Sequence, residues 1–296
     1  MTSAVLDEFE RERGRLTAVA YRMLGSRAEA EDVVQETWLR YDKARTGGEI
    51  HDVRGWLTTV AGRISLDVLK SARVRREAYP GQWLPEPVVT TLDPAARIER
   101  QEDVSLALLV VMERLSPEQR VAIVLHDAFA VPFEEIAAVL NTSAAAARQH
   151  ASRGRRAIAD GQARHTAGQD EQRRVLAAFL AAASSGDIQA LAAVLAPDVV
   201  AIGDGGGVVN AGARAVVGAD RVARLYIGLL SGRQIDPAAT TFEPVLVNGD
   251  AGMVLRGAYR GGRTLRAVVG VAVADGRITA IYNQLNPAKL GSLDRG

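Results

Sequence analysis

The chain has 296 residues, roughly twice the length of a typical domain, so we expect more than one domain. Apolar residues make up 48% and charged residues 24%, which is typical of folded soluble proteins and argues against a mainly disordered chain. The sequence contains no Cys, which excludes disulfides, thiol catalysis and cysteine-ligated zinc or iron–sulfur centres. The formal net charge is only +1, so any polyanion-binding surface must come from local clusters.

The first residues, MTSAVLDEFERERGRL, carry charges where a secretory signal needs an apolar run. No uncharged apolar stretch of about 18 residues follows, so we expect a soluble, cytoplasmic protein without a membrane span. The sequence also lacks a phosphate-cradling GxxxxGKS motif, and its histidines lie far apart without metal-ligand spacing. We therefore expect no metal site and no cofactor. The histidines are His51, His126, His150 and His165.

Residues 4–77 show the 3.6-residue apolar period of helices, interrupted at Gly25 and at Gly47-Gly48. Ser26 followed by Glu29 is a capping box that begins the second helix. The pattern predicts a compact bundle of four helices. The second helix has one apolar face, and its other face is mainly acidic and polar with Leu39 among the polar residues.

From Tyr79 to Asp93 the periodicity stops, because the stretch YPGQWLPEPVVTTLD is rich in proline. This composition predicts a linker. An unstructured linker would be polar, so Trp83, Leu84 and Val88 indicate that this one docks on another part of the protein. The alternative is a loop packed against its own neighbours.

Residues 94–160 form a second helical unit. The helix SPEQRVAIVLHDAF begins at a capping box with Ser116, and a helix over Phe133–Leu140 follows it. A short polar break at 141–143 then precedes a helix that begins at Ala144, which is the layout of a helix-turn-helix. If Ser143 caps that last helix, small and apolar residues face inward, and Arg and Gln side chains suited to base edges face outward.

Arginine is concentrated in two islands. Residues 63–76 and residues 148–164 each contain five basic residues against one acidic residue. Because guanidinium groups bind phosphate and guanine through paired hydrogen bonds, two islands indicate two contact points on a polyanion. The alternative is two solvated helix faces.

The C-terminal part of the sequence has a different pattern of apolar and polar residues. After helices near 173–183 and 188–195, short apolar runs alternate with Gly and Asp turns, and a helix over Ala219–Leu230 interrupts them. The sequences NGD and ADG between β-rich runs predict hairpins. The pattern indicates an α+β domain in which about five antiparallel strands curve over helices and leave a pocket between the two layers.

Several motifs together resemble one family, the extracytoplasmic-function (ECF) sigma factors of bacterial RNA polymerase. Over residues 5–160, two segments resemble that family's region 2, and one resembles its region 4, in the family's order and spacing. The region 2 segments are DVVQETWLRY and RGWLTTVAGRISLDVLKSARVRRE, and the region 4 segment is LSPEQRVAIVLHDAFAVPFEEIAAVLNTSAAAARQHASRGRRAI.

The remaining residues are similar to the SnoaL-like, nuclear-transport-factor-2-like fold that one branch of these sigma factors carries at its C-terminus. The motifs WLPEP, DGGG at 204–207 and the closing NPAKL also look like this branch. Ala288 stands where that branch usually has Asp, which puts a contact through that carboxylate in question.

The resemblance implies two all-α modules, a helical bundle and a helix-turn-helix, followed by a cone-shaped α+β SnoaL-like domain. The corresponding boundaries are 1–78 for region 2, 79–93 for the proline-rich linker, 94–164 for region 4 and 170–296 for the SnoaL-like domain. The implied function is promoter-specific initiation with core RNA polymerase at minus-ten and minus-thirty-five elements. The implied role of the C-terminal domain is regulation in cis, without catalysis.

The resemblance assigns residues to each role. Those expected on the β′ clamp helices of the polymerase are Asp32, Gln35, Glu36, Trp38 and Leu39. Those expected at the minus-ten element are Trp56, Arg63, Asp67, Arg73, Arg75 and Arg76. Those expected at the minus-thirty-five element are Ala144, Arg148, Gln149, Ser152, Arg153, Arg155 and Arg156. Those expected to make regulatory contacts are Trp83, Leu84, Pro85, Glu86, Pro87, Asp204, Gly205, Gly206, Gly207, Asn286, Pro287, Lys289 and Leu290.

Other functions stay open at this point. The C-terminal fold also hosts isomerases and cyclases, but its candidate polar residues form no pair with diagnostic spacing. These candidates are Asp198, Asp204, Tyr226, Tyr259 and Tyr282. The same domain could instead sense a small molecule in its pocket without turnover. A dimeric repressor would account for the helix-turn-helix but not for the first bundle.

Overall fold

A computed structural model describes residues 2–48, 50–92, 104–162, 167–230, 232 and 234–294. It divides the chain into two compact units. The first unit comprises residues 1–78 and 111–160, and the second comprises residues 79–110 and 161–296.

This division differs from the expected boundaries, because the linker and the start of the expected region 4 module group with the C-terminal domain. The physical reason is burial of apolar side chains. Leu84, Leu106 and Ala107 are packed in a core of the second unit together with strand residues such as Val247 and Val268. The linker is therefore a structural part of the second unit.

The first unit begins with α1 (Thr2–Leu24), α2 (Arg27–Arg45) and α3 (Val53–Glu77). Gly25, with a φ of 68°, ends α1 in the left-handed conformation that glycine adopts without strain. The Ser26 Oγ then accepts a hydrogen bond from the Glu29 amide at 3.3 Å and caps α2. The expectation of four helices is wrong for the residues described here, because the apolar period continues through α3 without a break.

The rest of the first unit contains the helix-turn-helix. The Ser116 capping box is present, and the expected long helix after it changes into a π-helical turn at 124–128. Asn141, with a φ of 51°, separates the last two helices. The helices are α4 (Leu106–Met112), whose residues up to Val110 belong to the second unit, α5 (Pro117–Ile123), α6 (Phe133–Leu140) and α7 (Ala144–Gln162).

The second unit is built on a seven-stranded sheet with the strand order β1-β4-β5-β6-β7-β2-β3. The strands are β1 (Val89–Thr90), β2 (Leu195–Asp204), β3 (Val216–Val217), β4 (Thr241–Val247), β5 (Asp250–Ala258), β6 (Thr264–Ala274) and β7 (Arg277–Gln284). The helices are α8 (Gln169–Ser185), α9 (Ile188–Val194) and α10 (Ala219–Leu230).

The predicted hairpins are confirmed. Asn248 and Gly249 both have positive φ between β4 and β5, and Asp275 and Gly276 do so between β6 and β7. The expectation that all strands are antiparallel is wrong, because β2 and β7 pair in parallel. The long chain segment between these two strands allows the return in the same direction.

The two faces of the sheet bury different partners. The inner face packs on α8, α9 and α10 through side chains such as Phe179, Val222 and Val269. The outer face is covered by the linker, the start of α4 and the C-terminal residues, with Leu84, Leu106 and Leu290 in the core. None of the described helices is both long and apolar enough to span a membrane.

Candidate linker-binding and nucleic-acid-binding sites

The Asp204 carboxylate, at the end of β2, is fully buried and holds the linker by hydrogen bonds. Its Oδ1 accepts from the Tyr79 hydroxyl at 2.6 Å and from the Gly206 amide at 3.0 Å. Its Oδ2 accepts from the Leu84 amide at 2.9 Å and from Lys289 Nζ at 2.7 Å. Because a buried carboxylate is costly unless it is paired, these donors make the bound linker part of its stabilisation.

Lys289 contacts the linker as well as Asp204. Its Nζ donates to the Leu84 carbonyl oxygen at 2.6 Å. The same ammonium group lies 4.2 Å from the centroid of the Trp83 ring and 5.2 Å from that of Tyr79, within the range of cation–π attraction. The tryptophan of WLPEP and the lysine of NPAKL are therefore direct neighbours.

Polar side chains at the ends of two strands complete the site. Gln284 Nε2 donates to the Pro85 carbonyl oxygen at 3.3 Å, and Asn286 Nδ2 donates to the Tyr79 hydroxyl at 2.8 Å. The Asn248 side chain accepts from the Val88 amide at 3.1 Å. We call the group that binds linker residues 79–90 the linker clasp; its members are Asp204, Gln284, Asn286 and Lys289.

The hydroxyl of Tyr79, in the linker, is a stable hydrogen-bond donor to the linker clasp. Burial and the hydrogen bond to Asp204 both raise the pKa of Tyr79 above its ordinary value. The phenol therefore stays neutral near pH 7 and keeps the proton that it donates to the carboxylate.

The glycines of DGGG allow the close approach of the linker. Gly206 and Gly207 have φ values of 63° and 73°, in the region that favours glycine. A Cβ on Gly207 would lie 2.6 Å from Cγ of Pro80, and one on Gly206 would overlap the Asn286 side chain. A Cβ on Gly205 would overlap the Val209 backbone. Side chains at these positions would displace the linker or the loop.

The remaining residues of the three motifs are also in the second unit. Pro85 and Pro87 are buried, and Glu86 is half-buried. Pro287 begins a 3₁₀ turn, and Leu290 is buried in the outer-face core. Ala288 contributes its backbone amide, which donates to Asn286 Oδ1 at 3.0 Å, and the linker clasp forms without a carboxylate at that position.

Tyr79 and Gln284 are members of this site that sequence reasoning missed. Both are single polar residues at the end of an element, and neither belongs to a motif. The available signal was the strand alternation around Gln284, which places it on the same face as Tyr282 and the linker.

In the first unit, the polymerase-facing candidates lie on α2. Asp32, Gln35 and Leu39 are exposed, and 56% of the Leu39 surface is accessible. Glu36 forms an ion pair with Arg40 at 2.8 Å. Trp38 is different, because its ring packs on Phe9 with centroids 4.9 Å apart and is half-buried.

The minus-ten candidates lie on α3. Trp56 is half-buried against Tyr41, with ring centroids 5.8 Å apart, so part of its surface belongs to the aromatic core. Arg63 and Asp67 are exposed. The side chains of Arg73, Arg75 and Arg76, in the last turns of α3, lie outside the described residues.

Helices α3 and α6 of the first unit are in direct contact. Arg63 Nη2 donates to the Ala138 carbonyl oxygen at 2.9 Å. A Cβ on Gly62 would lie 3.1 Å from Cγ1 of Val139, so the absence of a side chain lets the two helices approach closely. A minus-ten candidate is therefore engaged by the helix-turn-helix in this conformation.

Helix α7 has the two faces that the sequence predicts. Ala147, Ala151, Gly154 and Ile158 are buried, and Ala144 and Ser152 are half-buried. The exposed residues include Arg148, Gln149, Arg153, Arg155 and Arg156.

Two of the α7 arginines form ion pairs within the first unit. Arg148 Nη2 lies 2.9 Å from Glu134 Oε1, and its guanidinium carbon lies 5.3 Å from the Phe133 ring centroid. Arg155 Nε donates to Asp127 Oδ2 at 2.8 Å, and this hydrogen bond raises the pKa of Arg155. Arg155 is anchored to the turn after α5, whereas Arg148 rests on α6.

Known families match the sequence in the order of these structural parts. Sigma-70 region 2 matches residues 9–75, Sigma-70 region 4 matches residues 105–158 and the SnoaL-like domain matches residues 176–281. The chain belongs to the ECF RNA polymerase sigma factors and is an alternative sigma factor with a C-terminal SnoaL-like domain.

Individual relatives cover almost the whole chain. ECF RNA polymerase sigma factor SigJ of Mycobacterium tuberculosis is 45% identical over 291 residues, which cover 96% of this chain and 92% of SigJ. The probable ECF RNA polymerase sigma factor SigI of the same species is 36% identical over 285 residues, with 95% and 93% covered. The crystal structure of M. tuberculosis SigJ matches with a TM-score of 0.76 at 42% identity and covers 96% of this chain and 98% of that chain. The predicted family and fold class are confirmed.

Proposed function

We propose that this sigma factor selects promoters through its two helical modules and that its C-terminal domain regulates the selection by holding the linker. The observation that carries the proposal is the bonding of the buried Asp204 carboxylate to Tyr79 and Leu84 of the linker. The linker is the chain that joins region 2 to region 4. A domain that binds it can set how far apart the two modules move.

The distance between promoter elements supports a role for linker length. Elements centred near −10 and −35 are about 25 base pairs apart, or roughly 85 Å along the helix. With α4 kept helical, the chain from Glu77 to Pro117 can extend to roughly 120 Å. Holding residues 79–90 on the C-terminal domain takes about 40 Å of that length out of the free chain, which leaves roughly 80 Å. An intact linker clasp therefore opposes full separation of the modules.

The contact between α3 and α6 supports a closed resting conformation. While Arg63 is bonded to Ala138, region 2 and region 4 touch and cannot occupy two DNA elements that lie roughly 85 Å apart. Binding to core polymerase and promoter DNA must break this contact. The linker clasp favours the closed conformation because it shortens the chain available for opening.

The exposed face of α2 is the proposed polymerase-binding surface. Asp32, Gln35 and Glu36 supply polar and acidic groups, and exposed Leu39 supplies an apolar anchor. We propose that this face docks on the β′ clamp helices. Complementary charge speeds such an encounter, and a desolvated apolar anchor slows dissociation. Because Trp38 packs on Phe9, we propose for it a supporting role beneath the surface.

The exposed face of α7 is the proposed reader of the minus-thirty-five element. Arg148 and Gln149 carry donors and acceptors suited to base edges in the major groove. We propose that Arg148 exchanges its ion pair with Glu134 for a base. We propose that Arg153, Arg155 and Arg156 hold phosphates, with Ala144 and Ser152 close to the DNA backbone, and that Arg155 exchanges its ion pair with Asp127 for a phosphate.

The basic side of α3 is the proposed contact for the opened minus-ten element. Arg63 and Asp67 are exposed on it, and the half-buried Trp56 lies near its start. Unpaired bases need charge for their backbone and planar groups for stacking, and Arg supplies both. The same role for Arg73, Arg75 and Arg76 rests on the sequence.

A catalytic role for the C-terminal domain has less support. The carboxylate of Asp204 accepts hydrogen bonds from Tyr79 of the linker and from Lys289, and Asp198 is exposed on β2. Tyr226 is bonded to the Asn283 amide rather than to a carboxylate. The arrangement favours a regulator that binds without turnover.

Transcription in vitro with core polymerase tests the proposal. We expect Asp204→Asn to raise initiation several-fold, because the linker is released. The matched control is Asp220→Asn, at an exposed position on α10 that pairs with Arg224, and it should leave initiation unchanged. Equal initiation by wild type and Asp204→Asn would contradict the regulatory role. Failure of every variant to initiate with core polymerase at any promoter would contradict the assignment of the modules.

A further inference from the structure

The second unit contains a cavity of about 330 Å³ between the inner face of the sheet and the helices α8 and α10. Its wall is mainly apolar and includes Phe179, Leu229, Met253, Leu255 and Val269. The volume is at the lower end of the range for small-molecule pockets. Such a wall suits a compact hydrocarbon skeleton.

One polar pair, the buried Tyr226 and the half-buried Asn283, lines this cavity. The Tyr226 hydroxyl donates to Asn283 Oδ1 at 2.8 Å, and Asn283 Nδ2 donates to the Ile202 carbonyl oxygen at 3.1 Å. The Tyr226 oxygen keeps a lone pair and the Asn283 amide keeps a second N–H. Together these groups fit a ligand hydroxyl, which can donate to one and accept from the other.

The charge of the wall limits the ligand further. Among the described residues that line the cavity there is no Asp, Glu, Lys or His, and Arg214 is exposed. Burial raises the pKa of Tyr226, so its phenol is neutral. A charged group held in the interior of the cavity, away from the exposed Arg214, would have no opposite charge to pair with. A ligand that lies in the interior is therefore uncharged.

The cavity and the linker clasp lie on opposite faces of the same two strands. On β7 and just beyond it, Asn283 and Leu285 line the cavity, whereas Gln284 bonds the linker. On β2, Gly203 lines the cavity and the next residue, Asp204, holds the linker. This alternation follows from the two-residue period of a strand.

The loop after β2 provides a second connection. It begins with Gly206 and Gly207, which lie against Asn286 and Pro80, and it continues to 210–212, which line the cavity. A ligand that displaces residues 210–212 would therefore move a loop whose other end forms the linker site.

We propose that the cavity binds an uncharged, mainly hydrocarbon molecule with one hydroxyl group and that its binding alters the hold of the linker clasp on the linker. This inference rests on the proposed regulatory function. Binding energy at one site changes the affinity at the other only if the ligand favours one arrangement, and the shared strands and loop supply that link.

The binding part is tested on the full-length protein with 2-naphthol, which has two fused hydrocarbon rings and one hydroxyl, and with naphthalene, which lacks the hydroxyl. Calorimetric titration should show saturable binding of both to the wild type. Tyr226→Phe should weaken 2-naphthol binding by about 3- to 10-fold and leave naphthalene binding unchanged. Ala267→Phe, which fills the cavity, should weaken both at least tenfold.

Circular dichroism establishes that each variant is folded, and if Ala267→Phe fails to fold, the comparison of the two probes on Tyr226→Phe decides. Absence of 2-naphthol binding to the wild type, or equal weakening of both probes by Tyr226→Phe, overturns the assigned site.

The coupling is tested by hydrogen exchange at the Leu84 amide, which is bonded to Asp204. Saturating 2-naphthol should change its exchange rate at least threefold. Binding without any change at Leu84 overturns the coupling. The regulatory function fails separately, through unchanged transcription by Asp204→Asn while 2-naphthol still binds.

Discussion

Lys289 and the fully buried Asp204 form an ion pair, with Nζ 2.7 Å from Oδ2, and the Leu84 backbone of the linker is bonded to both. A pair that accepts from the amide of one linker residue and donates to the carbonyl oxygen of the same residue recognises its backbone rather than its side chain. Trp83 adds the side-chain contact, because its ring lies over the ammonium group. The linker is therefore bound as an integral part of the C-terminal domain.

Breaking this pair should destabilise the second unit. Lys289→Met leaves the carboxylate of Asp204 buried with fewer donors, and we expect a loss of about 3 kcal/mol in the free energy of unfolding. The measurement is denaturant-dependent hydrogen exchange of β6 amides, which report this unit. The double variant with Asp204→Asn should lose less than the sum of the single variants. Additive losses would show that the two residues act independently.

The hold on the linker should weaken at high pH because of Tyr79. Its pKa is raised in the folded protein, so its stabilisation is fully present below about pH 10, the unfolded value, and is lost as the pH rises further. We expect the Leu84 amide to lose protection, relative to intrinsic exchange, above pH 10 in the wild type. In Tyr79→Phe, the Leu84 amide should be less protected at pH 7 and should show no further loss of protection above pH 10 from ionisation at position 79. Identical pH profiles would contradict the role of the phenol.

Gly207→Ala separates backbone strain from contact with the linker. The added Cβ is strained by the positive φ of this position and clashes with the Pro80 ring. We therefore expect a destabilisation of about 2 kcal/mol and faster hydrogen exchange at the Leu84 amide. Gly262→Ala is the matched control, since Gly262 also has positive φ but has no neighbouring atom within 4 Å of the added Cβ. Gly262→Ala should lower the free energy of unfolding by less, and hydrogen exchange at the Leu84 amide should not change. The linker contact would be unimportant if both variants behaved alike.

Arg148→Ala should lower discrimination between promoter sequences. A bidentate contact to a base contributes about 1–3 kcal/mol of discrimination, so the preference at one position of the minus-thirty-five element should fall by about 5- to 150-fold. Arg156→Ala, which removes a proposed phosphate contact, should weaken binding to all promoter sequences equally and reduce the salt dependence of that binding. Promoter-binding titrations by the polymerase holoenzyme measure both. A uniform loss with Arg148→Ala would show that Arg148 does not read a base.

Local patterns in the sequence predicted most of the elements. The inward and outward faces of α7 follow the helical period, and the hairpins follow turns such as Asn248-Gly249 that need positive φ. The parallel pairing of β2 with β7 was not predictable from these signals, because it depends on the packing of distant segments.

The motifs WLPEP, DGGG and NPAKL were identified separately, and their convergence on one carboxylate needed the fold. Tyr79, which belongs to no motif, became evident only from its contacts, and strand alternation indicated the face of Gln284 but not its bond to the linker. The contact of Arg63 with Ala138 is also a long-range feature that no local pattern encodes.

The linker clasp is proposed to control the separation between region 2 and region 4. A measurement of the distance between the two regions is the sharpest test of this control. The chain has no Cys, so Ser71→Cys on α3 and Ala157→Cys on α7 allow specific spin labelling for pulsed electron resonance. We expect one short-distance population in the free protein and a clear shift to longer distances when Asp204→Asn is added. Identical distance distributions with and without Asp204→Asn would contradict it.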